Sequence, residues 1–171
     1  MFVFAVKVAV ATGILIWAVI EDLRSRKFSN RSFLIASAVA FVVSIASGLI
    51  ATGGVSELIS MTLGFGAGIL FFLPLVVGGV IGAGDMKLMA AFGILVGWHA
   101  VMWTGIYGLV WGAVFGLIQI VVRGQTRALR DNLTNLAITR ERGNLQLHQI
   151  PFTAPLLLGW LGHLVLSGAF R

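Results

Sequence analysis

The stretch from Phe2 to Ile20 reads FVFAVKVAVATGILIWAVI, and Lys7 is its one charged residue. A run of about 20 apolar residues is long enough to cross the hydrocarbon core of a bilayer as a helix. Similar runs recur along the chain, which is 58% hydrophobic and only 11% charged. A soluble domain of this size cannot bury so much apolar side chain and still cover its surface with polar groups. We therefore predict an all-α, polytopic membrane helix bundle that forms a single domain over residues 1–171.

Breaks in the apolar pattern predict about six transmembrane helices. Their approximate bounds are 2–21, 32–52, 58–81, 86–100, 103–122 and 152–170. The fourth is short, and Gly97-Trp98-His99 is a candidate turn, so five spans with a re-entrant segment remain an alternative. The first span has Lys7 within its apolar run, and no small-x-small cleavage site follows it. We therefore expect it to be retained and not removed as a signal peptide.

The basic residues predict the orientation of this bundle. The net charge is +6, but the Lys and Arg residues lie in short loops between apolar runs, which is typical of membrane proteins and does not indicate nucleic-acid binding. With six spans, all of them except Lys7 and Arg171 fall on one side. We predict that this side is cytoplasmic and that both termini lie outside. The polar segment at about 123–151 is predicted to be a basic cytoplasmic loop, with an amphipathic helix that contacts anionic membrane lipids.

The composition excludes several kinds of site. Cysteine is absent, which rules out thiolate nucleophiles, disulfides and zinc–thiolate sites. The three His residues are scattered and form no His-Glu-x-x-His motif. We therefore expect no metal ion, nucleotide or other cofactor. Many glycines recur at helical spacing, as at Gly108, Gly112 and Gly116, and this favours close helix packing over phosphate loops.

Two of the six acidic residues suggest a chemistry. Asp22 ends the first span and Asp85 begins the fourth, so the predicted topology places both at the same depth on the cytoplasmic side. Two carboxyl groups that share one water can hydrolyse a peptide bond, because closely spaced like charges do not both ionise easily and the pair keeps a shared proton. The ionised carboxylate takes a proton from water, and the protonated one polarises the scissile carbonyl. Such a pair titrates as a unit, which leaves the base and the acid unassigned.

Structural roles explain the same residues without catalysis. Asp85 precedes an apolar run and is a good helix N-cap, and Gly82 and Gly84 can supply the turn before it. Asp22 can form an interfacial ion pair with Arg24 or with Arg26. From position alone, the catalytic and the structural interpretations both remain open.

Two segments of the chain match the motifs of a known family. Residues 82–88 read Gly-Ala-Gly-Asp-Met-Lys-Leu and residues 22–30 read Asp-Leu-Arg-Ser-Arg-Lys-Phe-Ser-Asn. They resemble the G-x-G-D motif and the first-aspartate segment, D-x-x-x-x-x-I-P-N, of the type IV prepilin peptidases, which are GxGD membrane aspartyl proteases. Phe28-Ser29 stands where that family usually has Ile-Pro, although Ser29 or Asn30 can still cap the second span.

The resemblance implies an aspartic-type endopeptidase whose catalytic pair is Asp22 and Asp85, supported by Gly82, Gly84 and Lys87. Lys87 is more often a snorkelling anchor in such a position. The implied substrate is a prepilin or pseudopilin, in which a short basic leader precedes an apolar helix. The implied location is the bacterial inner membrane, with the active site facing the cytoplasm. The short, cysteine-free chain resembles the subgroup that processes Flp-type (tight adherence) pilins, for which no methylation of the new N-terminus is expected.

Two other functions remain open. A small transporter or channel subunit predicts facing charges near the membrane midplane, or broken helices related by an internal repeat, and the sequence shows neither pattern. A non-catalytic pilus assembly factor fits the same features of the sequence. The oligomeric state and the particular prepilin are not encoded in any pattern of the sequence that we recognise.

Overall fold

The computed structural model describes residues 2–25, 29–50, 53–122 and 152–168. Within these ranges, every regular element is an α-helix. The helices are α1 (Phe2–Ser25), α2 (Asn30–Ile50), α3 (Gly54–Val77), α4 (Ala83–Val122) and α5 (Thr153–Leu166). The predicted basic loop at about 123–151, with its amphipathic helix, lies outside the described residues.

Four of these helices, α1 to α4, are long and apolar enough to cross a membrane, and α5 is a shorter apolar helix. The prediction of an all-α membrane bundle is therefore confirmed, whereas the count of about six spans stays a prediction. Helix α4 contains both the predicted fourth and the predicted fifth span, which it joins without a loop.

Helix α4 reverses direction at Gly97. This glycine has φ 77° and ψ 171°, a backbone conformation that side chains larger than hydrogen rarely tolerate. A Cβ atom on Gly93 would lie 3.0 Å from Cγ2 of Val101, although residues eight apart are separated by about 12 Å along a straight helix. The first arm (83–96) and the second arm (98–122) therefore lie side by side, with the predicted turn between them.

Helix α3 packs on the first arm of α4 through direct backbone contact. A Cβ atom on Gly64 would lie 2.0 Å from the carbonyl oxygen of Gly93, and one on Gly93 would lie 2.1 Å from that of Gly64. One turn further, a Cβ atom on Gly68 would lie 2.5 Å from the carbonyl oxygen of Met89. No side chain fits in these spaces. Small residues that allow such close approach drive the association of helices in lipid.

The core surrounds the first arm of α4, against which α1, α2, α3 and α5 all contribute buried side chains. Its largest buried members are Phe72, Phe92, Leu15, Leu88, Met89, Leu156 and Trp160. Two hydrogen bonds of buried or partly buried side chains join helices within the bundle. Ser44 Oγ on α2 donates to the carbonyl oxygen of Ile94, at 2.9 Å. Trp160 Nε1 on α5 donates to Thr12 Oγ1 on α1, also at 2.9 Å.

The contacts between helix termini define two ends of the bundle. At the far end, the start of α1 meets the start of α3 through an ion pair between Lys7 and Glu57. At the opposite end, which we call the site end, the start of α4 meets the start of α2 through Lys87 and Asn30. Asp22 and Asp85 both belong to the site end, so helix order and length place the two aspartates where the charge pattern predicted them.

The backbone contact between α3 and α4 predicts a large difference between two neighbouring glycines. Gly64→Ala should lower the free energy of unfolding by more than about 3 kcal/mol, because the added methyl group has to force two backbones apart. Gly66→Ala is the matched control, since nothing lies within 4 Å of its Cβ position, and it should change stability by less than about 1 kcal/mol. Thermal unfolding of the detergent-solubilised variants measures both effects, and equal stabilities would contradict the contact.

Candidate active site

Asp22 lies in the last turn of α1 and is partly buried. Its Oδ2 atom accepts a hydrogen bond of 2.9 Å from Oγ1 of Thr153, the first residue of α5. Among the described residues, the salt bridge is the one between Lys7 and Glu57. Asp22 therefore forms no ion pair with Arg24. Arg26, the other partner considered for Asp22, lies outside the described residues. The hydrogen bond from Thr153 directs Oδ2 of Asp22 towards α5.

Glu21, the neighbour of Asp22, connects α1 to α2. Its Oε1 atom accepts hydrogen bonds from the Ser32 hydroxyl and, at 3.3 Å, from the backbone N–H of Ser29. Ser29 in turn caps α2, because its Oγ atom accepts a 3.1 Å hydrogen bond from the backbone N–H of Ser32. The predicted cap at Ser29 is confirmed. Serine thus provides at this position a defined helix start in place of the family's usual proline.

Asp85 is the third residue of α4 and is partly buried. Its Oδ2 atom accepts a 3.2 Å hydrogen bond from the backbone N–H of Gly82, which directly precedes the helix. The N-cap interpretation of Asp85 is therefore wrong in position: the carboxylate lies inside the first turn and reaches back to the capping residue. Gly82 permits this contact, since a Cβ atom there would lie 3.3 Å from the same Oδ2 atom. Gly84 lies within the first turn.

The two aspartates come together at the site end. Asp22 and Asp85 are close enough for the charge of Asp22 to act directly on the Asp85 carboxyl group. Asp22 lies at the end of α1 and Asp85 at the start of α4. Their proximity therefore depends on how these two helices pack, and not on closeness in sequence. Asp85 is thereby influenced by a second partly buried carboxyl group, as a carboxyl pair that acts on one water molecule requires.

Lys87 connects the two motifs without contacting either aspartate. Its Nζ atom donates a 2.7 Å hydrogen bond to Oδ1 of Asn30, the last residue of the first-aspartate segment. The Lys87 side chain therefore bridges the start of α4 and the start of α2.

Thr153 is the residue at this site that sequence reasoning missed. It is 131 positions from Asp22 in the chain, and no motif or spacing links the two. The only local signal was Pro151-Phe152, which suggests the start of a last helix but says nothing about the threonine that follows. Within the ranges that the structure describes, no group of three or more His, Cys, Asp or Glu side chains is placed to hold a metal ion.

Comparison with known proteins places this arrangement in a family. A model of the type IV leader peptidase family matches residues 9–117, a range that contains Asp22, Asp85 and Lys87. Comparisons with curated proteins and with solved structures gave no match. The family match covers more than half of the chain and includes both motifs, so the chain belongs to the type IV leader peptidase family.

Proposed function

We propose that this protein is an aspartic endopeptidase that removes the short basic leader from prepilins or pseudopilins at the cytoplasmic face of the bacterial inner membrane. The observation that carries the proposal is that Asp22 and Asp85 lie at the same end of an apolar helix bundle, with Asp22 near enough to act electrostatically on Asp85. Membership of a peptidase family supports hydrolysis, and the absence of cysteine excludes a thiolate nucleophile.

The proposed chemistry is a general acid–base reaction on a peptide bond. One carboxylate of the pair takes a proton from water, and the water oxygen attacks the carbonyl carbon of the scissile bond. The other carboxyl group donates its proton towards the carbonyl oxygen, which gains negative charge as the C–O π bond opens. When the tetrahedral intermediate collapses, the C–N bond breaks and the leaving nitrogen takes up a proton from the pair. The leader leaves as a carboxylic acid and the mature protein as an amine.

The position of the pair suits a substrate that is half polar and half apolar. A basic leader is stable in water near anionic lipid headgroups, whereas the apolar helix that follows it is stable in the bilayer. The bond between these two parts therefore lies at the membrane interface. A catalytic pair at the end of the bundle meets that bond without drawing the leader into the hydrocarbon. The cysteine-free chain favours Flp-type prepilins within this substrate class.

The same placement argues against a transporter or channel subunit. Carboxylates that relay protons or ions across a bilayer lie along the path, commonly near the midplane. Asp22 and Asp85 instead share one end of the bundle, and the far end holds the separate Lys7–Glu57 pair.

The proposal predicts that both aspartates are essential. Asp22→Asn and Asp85→Asn should each lower leader removal at least about 100-fold, because the amide can neither accept the water proton nor hold the shared one. Co-expression with a tagged Flp-type prepilin, followed by gel analysis of leader loss, measures the effect. Glu57→Gln makes the same chemical change at the far end and should retain activity. Cleavage that survives both aspartate substitutions would remove the hypothesis, and would leave a non-catalytic assembly role.

The Lys87–Asn30 bond should matter for activity as a unit. Lys87→Met and Asn30→Ala should each lower kcat/KM several-fold, and the double variant should be no worse than the single ones, since either change already breaks the bond between the motifs. The free energy of unfolding should change by less than about 1 kcal/mol, because a solvent-accessible polar contact contributes little to stability. Additive losses in this double-mutant cycle would show that the two side chains act separately.

The orientation of the bundle is testable because the chain contains no cysteine. Ser25 at the site end and Ser56 at the far end are both exposed. A Ser25→Cys variant therefore reports on the site end, and a Ser56→Cys variant reports on the far end. In intact cells with a permeable outer membrane, an impermeant maleimide should label position 56. Position 25 should react only after the inner membrane is opened. The reverse pattern would place the aspartates on the wrong side for a cytoplasmic leader.

A further inference from the structure

The Thr153 hydroxyl makes a bond that its own helix does not require. Thr153 is the first residue of α5 and is only 1% exposed. The capping position of this helix is occupied by Phe152, which makes no side-chain cap, and the threonine hydroxyl does not cap the helix in its place. It donates to Oδ2 of Asp22 instead, at 2.9 Å. A buried hydroxyl directed away from its own helix indicates a role at its partner, the aspartate.

A second hydrogen bond fixes the register in which this contact forms. Trp160, further along α5, donates a hydrogen bond from its Nε1 atom to Thr12 Oγ1 on α1. Thr12 lies on the side of Asp22 that leads into the bundle, so α1 and α5 run antiparallel and are joined at two depths. Trp160 is held in turn by an edge-to-face contact with Phe92, at a ring-centroid distance of 5.0 Å. Contacts within the core therefore hold the start of α5 against Asp22.

The two helix termini also complement each other in charge. Asp22 lies in the last turn of α1, where the helix dipole opposes a negative charge, but it faces the first turn of α5, where the dipole favours one. Among the residues that the structure describes, the other charged groups at this end include Glu21 and Arg24 on α1, Arg31 on α2, and Asp85 and Lys87 on α4. Within the described part of α5, the first turn carries no charged side chain. Thr153 is thus the polar group through which α5 acts on Asp22.

We infer that Thr153 is a positioning residue for the proposed reaction: its hydroxyl holds Oδ2 of Asp22, so that Oδ1 is turned to the water shared with Asp85. The inference rests on the proposed function and extends the site to a helix beyond residues 9–117, the range matched by the family. Thr153 itself does not touch the reacting atoms. Its effect reaches the reaction through the orientation of one carboxylate.

The test compares variants of the full-length protein in lipid or detergent, with steady-state kcat and KM measured on a tagged Flp-type prepilin. Thr153→Val keeps the shape and loses the hydroxyl, and it should lower kcat at least about tenfold with KM within about twofold of wild type. Thr153→Ser keeps the hydroxyl and should keep kcat within about threefold. Thr104→Val is the matched control: Thr104 is 0% exposed, packs beside α5 at Gly159, and its hydroxyl has no hydrogen-bond partner among the residues that the structure describes. It should leave both constants unchanged.

A comparison of Thr153→Ser with Thr153→Ala keeps the test decisive if the valine variant does not fold. Both variants lose the methyl group, and only serine keeps the hydroxyl, so the serine variant should be about tenfold faster in kcat. Equal kcat for serine and alanine, or a valine variant as fast as wild type, would overturn the inference alone. A wild-type chain that leaves the leader in place would instead overturn the proposed function, and the inference with it.

Discussion

Direct backbone contact between α3 and the first arm of α4 is the constraint on which the rest of the bundle depends. Lipid surrounds membrane helices with groups as apolar as their own side chains, so association relies on close packing and not on escape from water. Gly64 and Gly93 allow that packing because a methyl group on either would overlap the other's carbonyl oxygen. The first arm is thereby fixed at the centre, and the buried Leu88 and Met89 anchor the helix start that carries Asp85.

The helices that carry the two aspartates are held by different sets of contacts. Asp85 is positioned by apolar packing one turn away, whereas α1, which carries Asp22, is tied to its neighbours by polar contacts at three depths. These are the Lys7–Glu57 ion pair at the far end, the Trp160–Thr12 hydrogen bond within the bundle and the Thr153–Asp22 hydrogen bond at the site end. Each such bond in a membrane is worth roughly 1 kcal/mol, and these bonds add to the packing of Leu15 and the other buried side chains of α1.

Hydropathy and charge predicted the features that depend on one helix at a time. Apolar length located the helices, the basic loops placed Asp22 and Asp85 at the same end, and the glycine at 97 marked the turn in α4. Features that depend on two helices were not predictable, because a helix that is apolar on all sides has no periodicity to show which face meets which neighbour. The contact of Thr153 with Asp22 is of this kind. The sequence also did not predict that Asp85 lies in the first turn of α4, because the Gly-rich segment before it gives no clear helix start.

Glu21 and Asp22 show how adjacent carboxylates acquire separate roles. Consecutive residues of a helix point about 100° apart, so they cannot face the same neighbour. Glu21 accordingly faces α2, where the Ser32 hydroxyl and the Ser29 backbone occupy one of its oxygens, while Asp22 faces α5 and Asp85. Glu21 thus serves the α1–α2 connection, and Asp22, which faces the other aspartate, is not required for that connection. The register of α1, set by its polar contacts, thus decides which of the two acids faces α5 and Asp85.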